Sequence, residues 1–384
     1  MKSNYDILGN HIRLIDKRNT DSVTDRVLGI NIDKFFMPSV ANVIGTDLTR
    51  YKLITKGKFA CNPMHVGRDK RLPVALYEED QPAIVSPAYF LFEIIDTDML
   101  DENYLMMWFR RSEFDRVCWF HTDGSVRGGI TADDIFSLEL PIPAIEEQRE
   151  IVRSYKAITE RIAIKKRIND NLEELLASIF KEIFVDNKTI PFCTKKLKDI
   201  TTTIDNRGKT PPNNPSKTPY PLIEIASLRT NGRIATYRNC SKYVSEDVYK
   251  NWFRSGHPIQ KDILMSTVGS LAELKLFWGK KGSIAQNIVA FRCNDKHLPM
   301  YLYQYLLRKQ HELAAYEIGS VQASIKVSQV VEYDIDIPPD GLLKDFDRIA
   351  TAITNQIFLN EADIDFCHQI CRYQLQQLSS TIRR

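Results

Sequence analysis

Three short segments of the sequence resemble parts of catalytic or cofactor-binding sites. Asn62-Pro63-Met64-His65 resembles the Asn/Asp-Pro-Pro-aromatic loop that holds a flipped base in amino-methyltransferases, but the second proline and the aromatic residue are missing. Gly208-Lys209-Thr210 resembles the end of a phosphate-binding loop, but Thr203 stands where that loop needs a glycine, and two prolines follow directly. Because both patterns are incomplete and the sequence has no Gly-x-Gly turn, we interpret both segments as surface turns.

The third segment, Cys367, His368 and Cys371, consists of residue types that bind metals. Cys367 and Cys371 share a helix face, but that face carries an apolar seam, where a free cysteine packs as a small apolar side chain. No second Cys/His pair is placed to complete four ligands. No Ser-His-Asp or paired-carboxylate arrangement is evident either. The sequence therefore predicts no catalytic residue, and no metal or cofactor bound by this chain.

The composition is that of a globular protein long enough for two domains. The 384 residues are 43% hydrophobic and 26% charged, and the net charge of +3 still permits a basic surface locally. The first residues lack the apolar core of a signal peptide, and no stretch approaches the ~18 apolar residues of a membrane span. The 7 scattered cysteines fit reduced thiols, so we expect a cytoplasmic protein.

Two segments of the chain are nearly the same, and they stand 195 residues apart. Residues 124–143 read GSVRGGITADDIFSLELPIP, and residues 319–338 read GSVQASIKVSQVVEYDIDIP. Residues 8–19 also resemble residues 197–208, and residues 83–94 resemble residues 282–293. The sequence therefore predicts an internal duplication, with each half a complete mixed α/β domain of roughly 190 residues including its helix.

Each half ends in a long helical pattern. In the first helix, apolar residues recur every three or four positions from Ile151 to Ile183, with Lys165 and Asn169 at the remaining seam positions. The second helix shows the same pattern from Phe346 onward, and Lys165 falls on Asn360 when the two are offset by 195. Chain order makes the helices antiparallel if their seams pack together. The predicted fold class is thus α+β, with two similar domains separated by a pair of long antiparallel coiled-coil helices in a pseudo-two-fold arrangement.

Two related but unequal domains held apart in this way would suit a split DNA site. Along B-DNA they would meet two groove segments separated by about one helical turn, ~34 Å, or slightly more. The predicted boundaries are residues 1–144 for the first domain, 145–186 for the first helix, 187–340 for the second domain and 341–384 for the second helix.

This layout resembles the specificity subunit of type I restriction-modification systems along essentially the whole chain. The resemblance rests on IPAIEEQ (142–148), DILMSTVGS (262–270), FACNPMHVGR (59–68), IVSPAYFLFEI (84–94) and the Gly-Ser segment before each helix. PDGLLKDFDRI (339–349) departs from the pattern, because it lacks the Glu-Gln pair of the first helix start.

The resemblance implies a non-catalytic, DNA-reading subunit with two target-recognition domains. It implies double-stranded DNA and two methyltransferase subunits as partners, and two restriction subunits can join. S-adenosylmethionine, ATP and magnesium are then expected on those partners and not on this chain. Two alternatives are a coiled-coil scaffold with two protein-binding domains and an enzyme that uses the domains for its own catalysis.

Loop residues that can bond to phosphates or base edges are the candidate DNA contacts. In the first half they are Lys56, Lys58, Asn62, Arg68, Lys70, Arg71, Ser125 and Arg127. In the second half they are Arg207, Lys209, Ser266, Thr267, Lys280, Lys281, Gln286, Asn287, Ser320, Gln322, Ser324 and Lys326. Where the repeats differ, as in Arg127 against Gln322 and Thr131 against Lys326, we expect the two domains to read different bases.

Overall fold

The computed structural model of the chain describes residues 5–40, 44–64, 66–122, 128–279, 281–318 and 323–378. The chain divides into two compact units. The first comprises Met1–Arg161 and Cys367–Arg384, and the second comprises Ile162–Phe366. Each unit is built around antiparallel sheet, short helices and segments of two long helices.

The strands of the first unit form three groups. The bounds are β1 Tyr5–Ile7, β2 Ile12–Ile15, β3 Val27–Ile30, β4 Phe36–Pro38, β5 Lys52–Ile54, β6 Phe59–Cys61, β7 Val74–Leu76, β8 Ala83–Val85, β9 Phe90–Ile94 and β10 Glu139–Pro141. One sheet has the order β2-β9-β6-β7, a second has the order β4-β3-β8-β5, and β1 pairs with β10. All pairs are antiparallel except β3 with β8.

The helices of the first unit include two, Glu102–Phe109 and Ala132–Phe136, whose phenylalanine rings pack on its main sheet. They are α1 Val66–Asp69, α2 Glu102–Phe109, α3 Ser112–Phe120, α4 Ala132–Phe136 and the first part of α5 Ile145–Lys181, and short 3-10 turns occupy Leu8–Asn10 and Leu48–Arg50. The stacked rings of Phe59 and Phe92, 5.1 Å apart, meet Phe109 of α2 edge-on. The buried Tyr104 hydroxyl donates to the carbonyl of Pro141 at 3.1 Å, which fastens α2 to β10.

The second unit repeats this plan. Its strands are β11 Cys193–Lys196, β12 Thr201–Ile204, β13 Leu222–Ile223, β14 Ile263–Ser266, β15 Leu274–Leu276, β16 Ser283–Ile284, β17 Ile288–Cys293, β18 Glu317–Ile318, β19 Ser324–Ile325 and β20 Asp334–Ile337. The main sheet has the order β12-β17-β14-β15, β11 pairs with β20, and β13 pairs with β16 in parallel. Strand for strand, this matches β2-β9-β6-β7, β1 with β10 and β3 with β8.

The helices of the second unit match those of the first only in part. They are α6 Leu197–Ile200, α7 Ile225–Leu228, α8 Glu246–Asn251, α9 Pro299–Arg308, α10 Gln310–Ala314, α11 Val327–Val330 and most of α12 Asp340–Gln377, and a π turn at Glu182–Asp186 follows α5. The Tyr301 hydroxyl donates to the carbonyl of Asp336 at 2.5 Å, as Tyr104 does to Pro141. The predicted α+β class and the internal duplication are therefore confirmed, while the boundaries in residue numbers stay a prediction.

Within the second unit, α5 and α12 pack antiparallel. Lys165 bonds to Asn360 at 2.9 Å, and fifteen positions later the ring of Phe180 packs against Phe346, fourteen positions earlier on α12. The Asn360 amide also donates to Asn169 at 2.8 Å. The sequence placed Lys165 and Asn360 at the same level of both seams, and the structure joins them directly.

The seam differs from its prediction toward the ends of the helices. Val152, Phe180 and Phe184 are buried where Ile151, Ile179 and Ile183 were expected, and these isoleucines are half-buried. In the second unit, the rings of Phe180 and Phe184 pack on Tyr301 of α9 as well as on Phe346. Because α5 packs there against a globular part as well as against α12, its buried stripe is wider than a two-helix seam.

The side chain of Gln148 fastens the start of α5 to the globular part of the first unit. It is fully buried, and its amide nitrogen donates to the carbonyls of Met99 at 2.9 Å and Pro143 at 2.8 Å. Its amide oxygen accepts from the backbone N–H of Asp101 at 2.9 Å, the residue that caps α2. Residue 343, which is 195 positions later, is the buried Leu343, so the second unit packs an apolar side chain at this level.

Replacing Gln148 with Leu is expected to lower the free energy of unfolding by about 2–4 kcal/mol, because three backbone groups, one buried and two part-buried, lose their partners. Urea-induced unfolding measures the change. The control is Leu343→Met, a volume-conserving substitution at the corresponding level, which should cost less than about 1.5 kcal/mol. Equal losses for the two variants would contradict the assignment of Gln148 as the link between α5 and the loop before α2.

Candidate nucleic-acid interface

The first unit brings two of the predicted contact segments side by side. The N–H of Ile130 donates to the carbonyl of Pro63 at 3.3 Å, and the N–H of Gly67 donates to the carbonyl of Gly128 at 3.0 Å. A Cβ on Gly129 would lie 3.2 Å from the carbonyl oxygen of Pro63, so a larger residue would force the segments apart. We call residues 62–64 and 66–71 together with 128–130 the first loop pair. Ser125 and Arg127 lie outside the described residues.

The second unit makes the corresponding contact. The N–H of Ile325 donates to the carbonyl of Thr267 at 2.8 Å, and the N–H of Gly269 donates to the carbonyl of Ala323 at 3.3 Å. Gly269 has a φ of +82°, a left-handed conformation that glycine adopts without strain. We call residues 266–270 together with 323–326 the second loop pair. Because Ile130 and Ile325 are 195 positions apart, both loop pairs are closed by the same hydrogen bond at the same place in the repeat.

Further candidates lie beside the second loop pair. The N–H of Thr267 donates to the carbonyl of Asn287 at 2.9 Å, which places the exposed Gln286 next to this loop. Lys326 is exposed and Ser324 is half-buried. Residues from three separate stretches of the sequence thus come together here: Thr267, Gln286 with Asn287, and Ser324 with Lys326. Lys280, Ser320 and Gln322 fall outside the described residues.

Ser266 and Thr267 do not fit the prediction that their side chains contact DNA. Both residues are fully buried. The Ser266 hydroxyl donates to the carbonyl of Ser270 and accepts from the N–H of Glu273, and the Thr267 hydroxyl donates to the carbonyl of Asn287. Their hydroxyl groups therefore hold the loop in shape and leave base contacts to the exposed residues around it.

Most of the candidate cations of the first unit form ion pairs with nearby carboxylates. The pairs are Lys56 with Asp80 at 2.7 Å, Lys58 with Glu93 at 2.7 Å, Arg68 with Asp69 at 2.7 Å and Arg71 with Asp33 at 2.8 Å. The exposed pairs among them, such as Lys56 with Asp80, are weak, so a phosphate can compete for those cations at little cost. Asn62 is half-buried, and its side-chain oxygen accepts from the N–H of Met64 at 3.1 Å.

A buried ion pair fixes the end of the first basic segment. The Lys34 ammonium, 1% exposed in its side chain, donates to Asp115 at 2.6 Å and to the carbonyl of Leu72 at 3.0 Å. The same carboxylate oxygen of Asp115 accepts from the N–H of Leu72 at 3.1 Å. Burial lowers the pKa of Lys34, and the adjacent Asp115 opposes that change.

In the second unit, Arg207 and Lys209 lie in a turn that follows β12. Burial raises the pKa of Asp205, but hydrogen bonds from Arg207 outweigh it and hold this pKa below its usual range. Gly208 has a φ of +113°, and the next helix, α7, begins only at Ile225, in agreement with a turn. Lys281 is exposed, and its ammonium lies 5.0 Å from the ring centre of Tyr220.

The sequence analysis missed two exposed aromatic side chains beside the first loop pair. Trp119 and Phe120, at the end of α3, are 40% and 83% exposed. The sequence indicates their exposure through their position around the helix. The buried residues of α3 are Phe114, Asp115 and Cys118. Phe120 lies on the opposite face of α3 from these residues, and Trp119 lies at the edge of the buried face.

Comparisons with known proteins agree with this architecture. The model of the type I restriction modification DNA specificity domain matches residues 74–174 and 190–359. The chain is 22% identical over 309 residues to the type I restriction enzyme MjaIX specificity subunit of Methanocaldococcus jannaschii, covering 71% of this chain and 66% of that protein. It is 25% identical over 201 residues to the HindI specificity subunit of Haemophilus influenzae, covering 50% and 43%.

A solved structure has the same fold. The crystal structure of the type I restriction-modification S subunit from M. genitalium matches with a TM-score of 0.59 at 12% identity, covering 98% of this chain and 96% of that chain. Two globular parts that share the topology of their main sheet, each with segments of two long helices, define a class of internally duplicated proteins. The chain belongs to the type I restriction modification DNA specificity domain family. Its matches span 66% and 43% of the lengths of the two curated relatives. In the described part of the chain, no helix has both the length and the apolarity of a membrane span.

Proposed function

We propose that this chain is the DNA-recognition subunit of a type I restriction-modification complex. It reads two different half-sites separated by an unread gap, and it catalyses no reaction itself. The observation that carries the proposal is the pair of equivalent hydrogen bonds, Ile130 to Pro63 and Ile325 to Thr267, which present different side chains from the same backbone frame. A repeated frame with altered side chains is what two unlike half-sites require.

The exposed residues of each loop pair have chemistry suited to DNA. Arginine and lysine bond to phosphates and to guanine, and glutamine bonds to adenine in the major groove. In the second unit, Gln286 and Lys326 are the exposed members of this set around the loop pair. In the first unit, Arg68 and Lys70 are the corresponding exposed residues. We propose base and phosphate contacts from these side chains.

The long helices offer surfaces for protein partners. On α5, Ile164, Ile168 and Leu175 are exposed at helical spacing, and on α12 so are Leu359 and Phe366, seven residues apart. Exposed apolar stripes of this kind mark interaction sites. We propose that they bind two methyltransferase subunits and that restriction subunits can join the complex. S-adenosylmethionine, ATP and magnesium then belong to those partners, and the complex acts in the cytoplasm.

Co-expression with the methyltransferase encoded beside it, followed by methylation mapping of genomic DNA, tests the proposal. The expected result is a split, asymmetric motif, and DNA affinity that falls steeply with salt because phosphate contacts release counterions. A scaffold for protein binding would show negligible, salt-insensitive DNA affinity. Methyl transfer by the isolated chain would instead show that it is an enzyme.

Exchanging residues 1–144 for the same domain of a relative is expected to change one half-site and leave the other and the gap unchanged. Each loop pair is closed within its own unit, so each should read its half-site independently. Methylation mapping of the hybrid complex measures this. The reciprocal exchange of 187–340 is the control and should alter only the other half-site. A hybrid in which both half-sites change would contradict independent reading.

A further inference from the structure

The most exposed aromatic surface beside the candidate interface is formed by Trp119 and Phe120, the α3 aromatic pair. Phe120 is 83% exposed and Trp119 is 40% exposed, and Val117 on the same helix is 40% exposed. The buried face of α3 is supplied by other residues, so the fold does not need these rings. Adjacent exposed large apolar side chains of this kind indicate a contact with another molecule.

Two cations, Lys70 and Arg116, lie near the α3 aromatic pair. The ammonium of Lys70 lies 4.8 Å from the ring centre of Trp119, within the range of a cation–π contact. The exposed Arg116 precedes Trp119 and Phe120 by three and four residues, so the three side chains share one helix face. A face that combines rings and cations is complementary to DNA, which offers stacked bases and phosphates.

The α3 aromatic pair continues the first loop pair. Lys70 follows α1 in the segment 66–71, and the N–H of Gly67 in α1 bonds to Gly128 of the other segment. The contact of Lys70 with Trp119 joins this segment to α3. A DNA molecule on the first loop pair would therefore reach the aromatic rings as well.

At the equivalent described positions, the second unit has no such pair. An offset of 195 places Trp119 and Phe120 on Ala314 and Ala315. The next residue, Tyr316, is half-buried and packs edge-on against Tyr333 at 6.4 Å. The duplicated fold thus forms without exposed rings at these positions, so the rings of the first unit are not required for folding.

We propose that Trp119 and Phe120 contact DNA with their rings at the edge of the first half-site, while Lys70 and Arg116 contact the adjacent phosphates. Phe120, the more exposed ring, acts as an apolar wedge at a base step, a contact that needs no ion pair. This inference rests on the proposed DNA-reading function. The ring contacts would contribute to the affinity for the first half-site in a way that does not depend on the salt concentration.

The test uses the full chain co-purified with its methyltransferase and sheared genomic DNA as the probe, with dissociation constants measured over a range of KCl concentrations. Phe120→Ala is expected to weaken binding roughly 5- to 100-fold at every salt concentration, with an unchanged slope of log K against log salt. Arg116→Ala and Lys70→Ala are each expected to reduce the slope by about one. Phe120→Leu, which keeps an apolar wedge, should recover most of the loss.

The control is Phe192→Ala, the same substitution at a phenylalanine before β11 in the second unit that is 38% exposed. It should leave DNA affinity unchanged. Unaltered DNA affinity in Phe120→Ala would overturn the inference, and so would loss of the methyltransferase from that variant, which would assign the rings to a protein partner. If the unmodified complex itself fails to bind DNA, the proposed function fails, a result that the wild-type titration reveals before any variant is compared.

Discussion

Replacing Asp115 with Asn is expected to lower the free energy of unfolding by about 3–5 kcal/mol, because it leaves the Lys34 charge buried without its counter-ion. The Lys34 side chain is 1% exposed, so water cannot replace the lost carboxylate. The N–H of Leu72, which also bonds to Asp115, keeps an acceptor in the amide oxygen. The cost therefore reports on the charge and not on the loop hydrogen bond. Urea-induced unfolding measures it.

Asp80→Asn is the matched control. Asp80 also pairs with a lysine, Lys56, at 2.7 Å, but its side chain is 87% exposed. Water solvates both partners there, so little change in stability is expected. The double variant Lys34→Met/Asp115→Leu should recover most of the loss, since an apolar pair of similar volume removes the unpaired charge. Failure of the double variant to recover would show that the pair is needed for its hydrogen bonds to Leu72.

The deficit of Asp115→Asn is also expected to shrink as the pH rises. Burial lowers the pKa of Lys34 in the folded state, and removing the opposing carboxylate lowers it further. Below the folded pKa the buried charge carries its full penalty. Between the folded pKa and the unfolded value of about 10.4, the unfolded chain binds more protons, so stability rises with pH. A deficit that grows between neutral and alkaline pH would contradict this account.

The duplication and the helix pair were readable from the sequence because they depend on spacing. The same offset of 195 aligns the two Gly-Ser segments and places Lys165 beside Asn360, and the structure joins that pair at 2.9 Å. Repeats and heptad patterns can be recognised in a sequence, because both are defined by the spacing of residues along the chain. The antiparallel direction followed from chain order alone.

The candidate site was predicted less completely, because burial depends on what packs from elsewhere in the chain. Ser266 and Thr267 have residue types that read bases, yet both are buried beneath their own loop. Conversely, Trp119 and Phe120 have the residue types of a core and are exposed. Residue type gave the general location of the loops, whereas the exposed set required the three-dimensional structure.

Replacing Arg233 with Met is expected to lower the free energy of unfolding by about 3–5 kcal/mol, because a buried guanidinium with several acceptors is lost. Arg233 is 1% exposed, and two of its side-chain nitrogens lie 2.9 Å from Glu173 of α5. Its other contacts are Gln304 of α9 at 3.4 Å and Thr354 of α12 at 3.5 Å. One side chain thus holds a loop of the second unit to both long helices, and without it Glu173 keeps a charge without that partner.

The variant Arg233→Lys separates the contribution of the positive charge from that of the guanidinium geometry. Lysine keeps the charge but cannot reproduce the planar fork that reaches three helices at once, so its loss of stability should be intermediate. Arg238→Met is the control on the same segment. Arg238 pairs with Glu361 and Asp365 of α12, but its side chain is 32% exposed, so the expected cost is about 1 kcal/mol or less.

Hydrogen exchange locates the effect of Arg233→Met. Amides of the 229–235 segment and of β15 should lose protection first, since the N–H of Leu276 bonds to the carbonyl of Arg233. β15 lies in the same sheet as β14, which leads into the second loop pair. The variant should therefore also lower the sequence specificity at the second half-site, as measured by methylation mapping. Equal stability of the Arg233→Met and Arg238→Met chains would show that burial of this guanidinium does not hold the second unit to its helices.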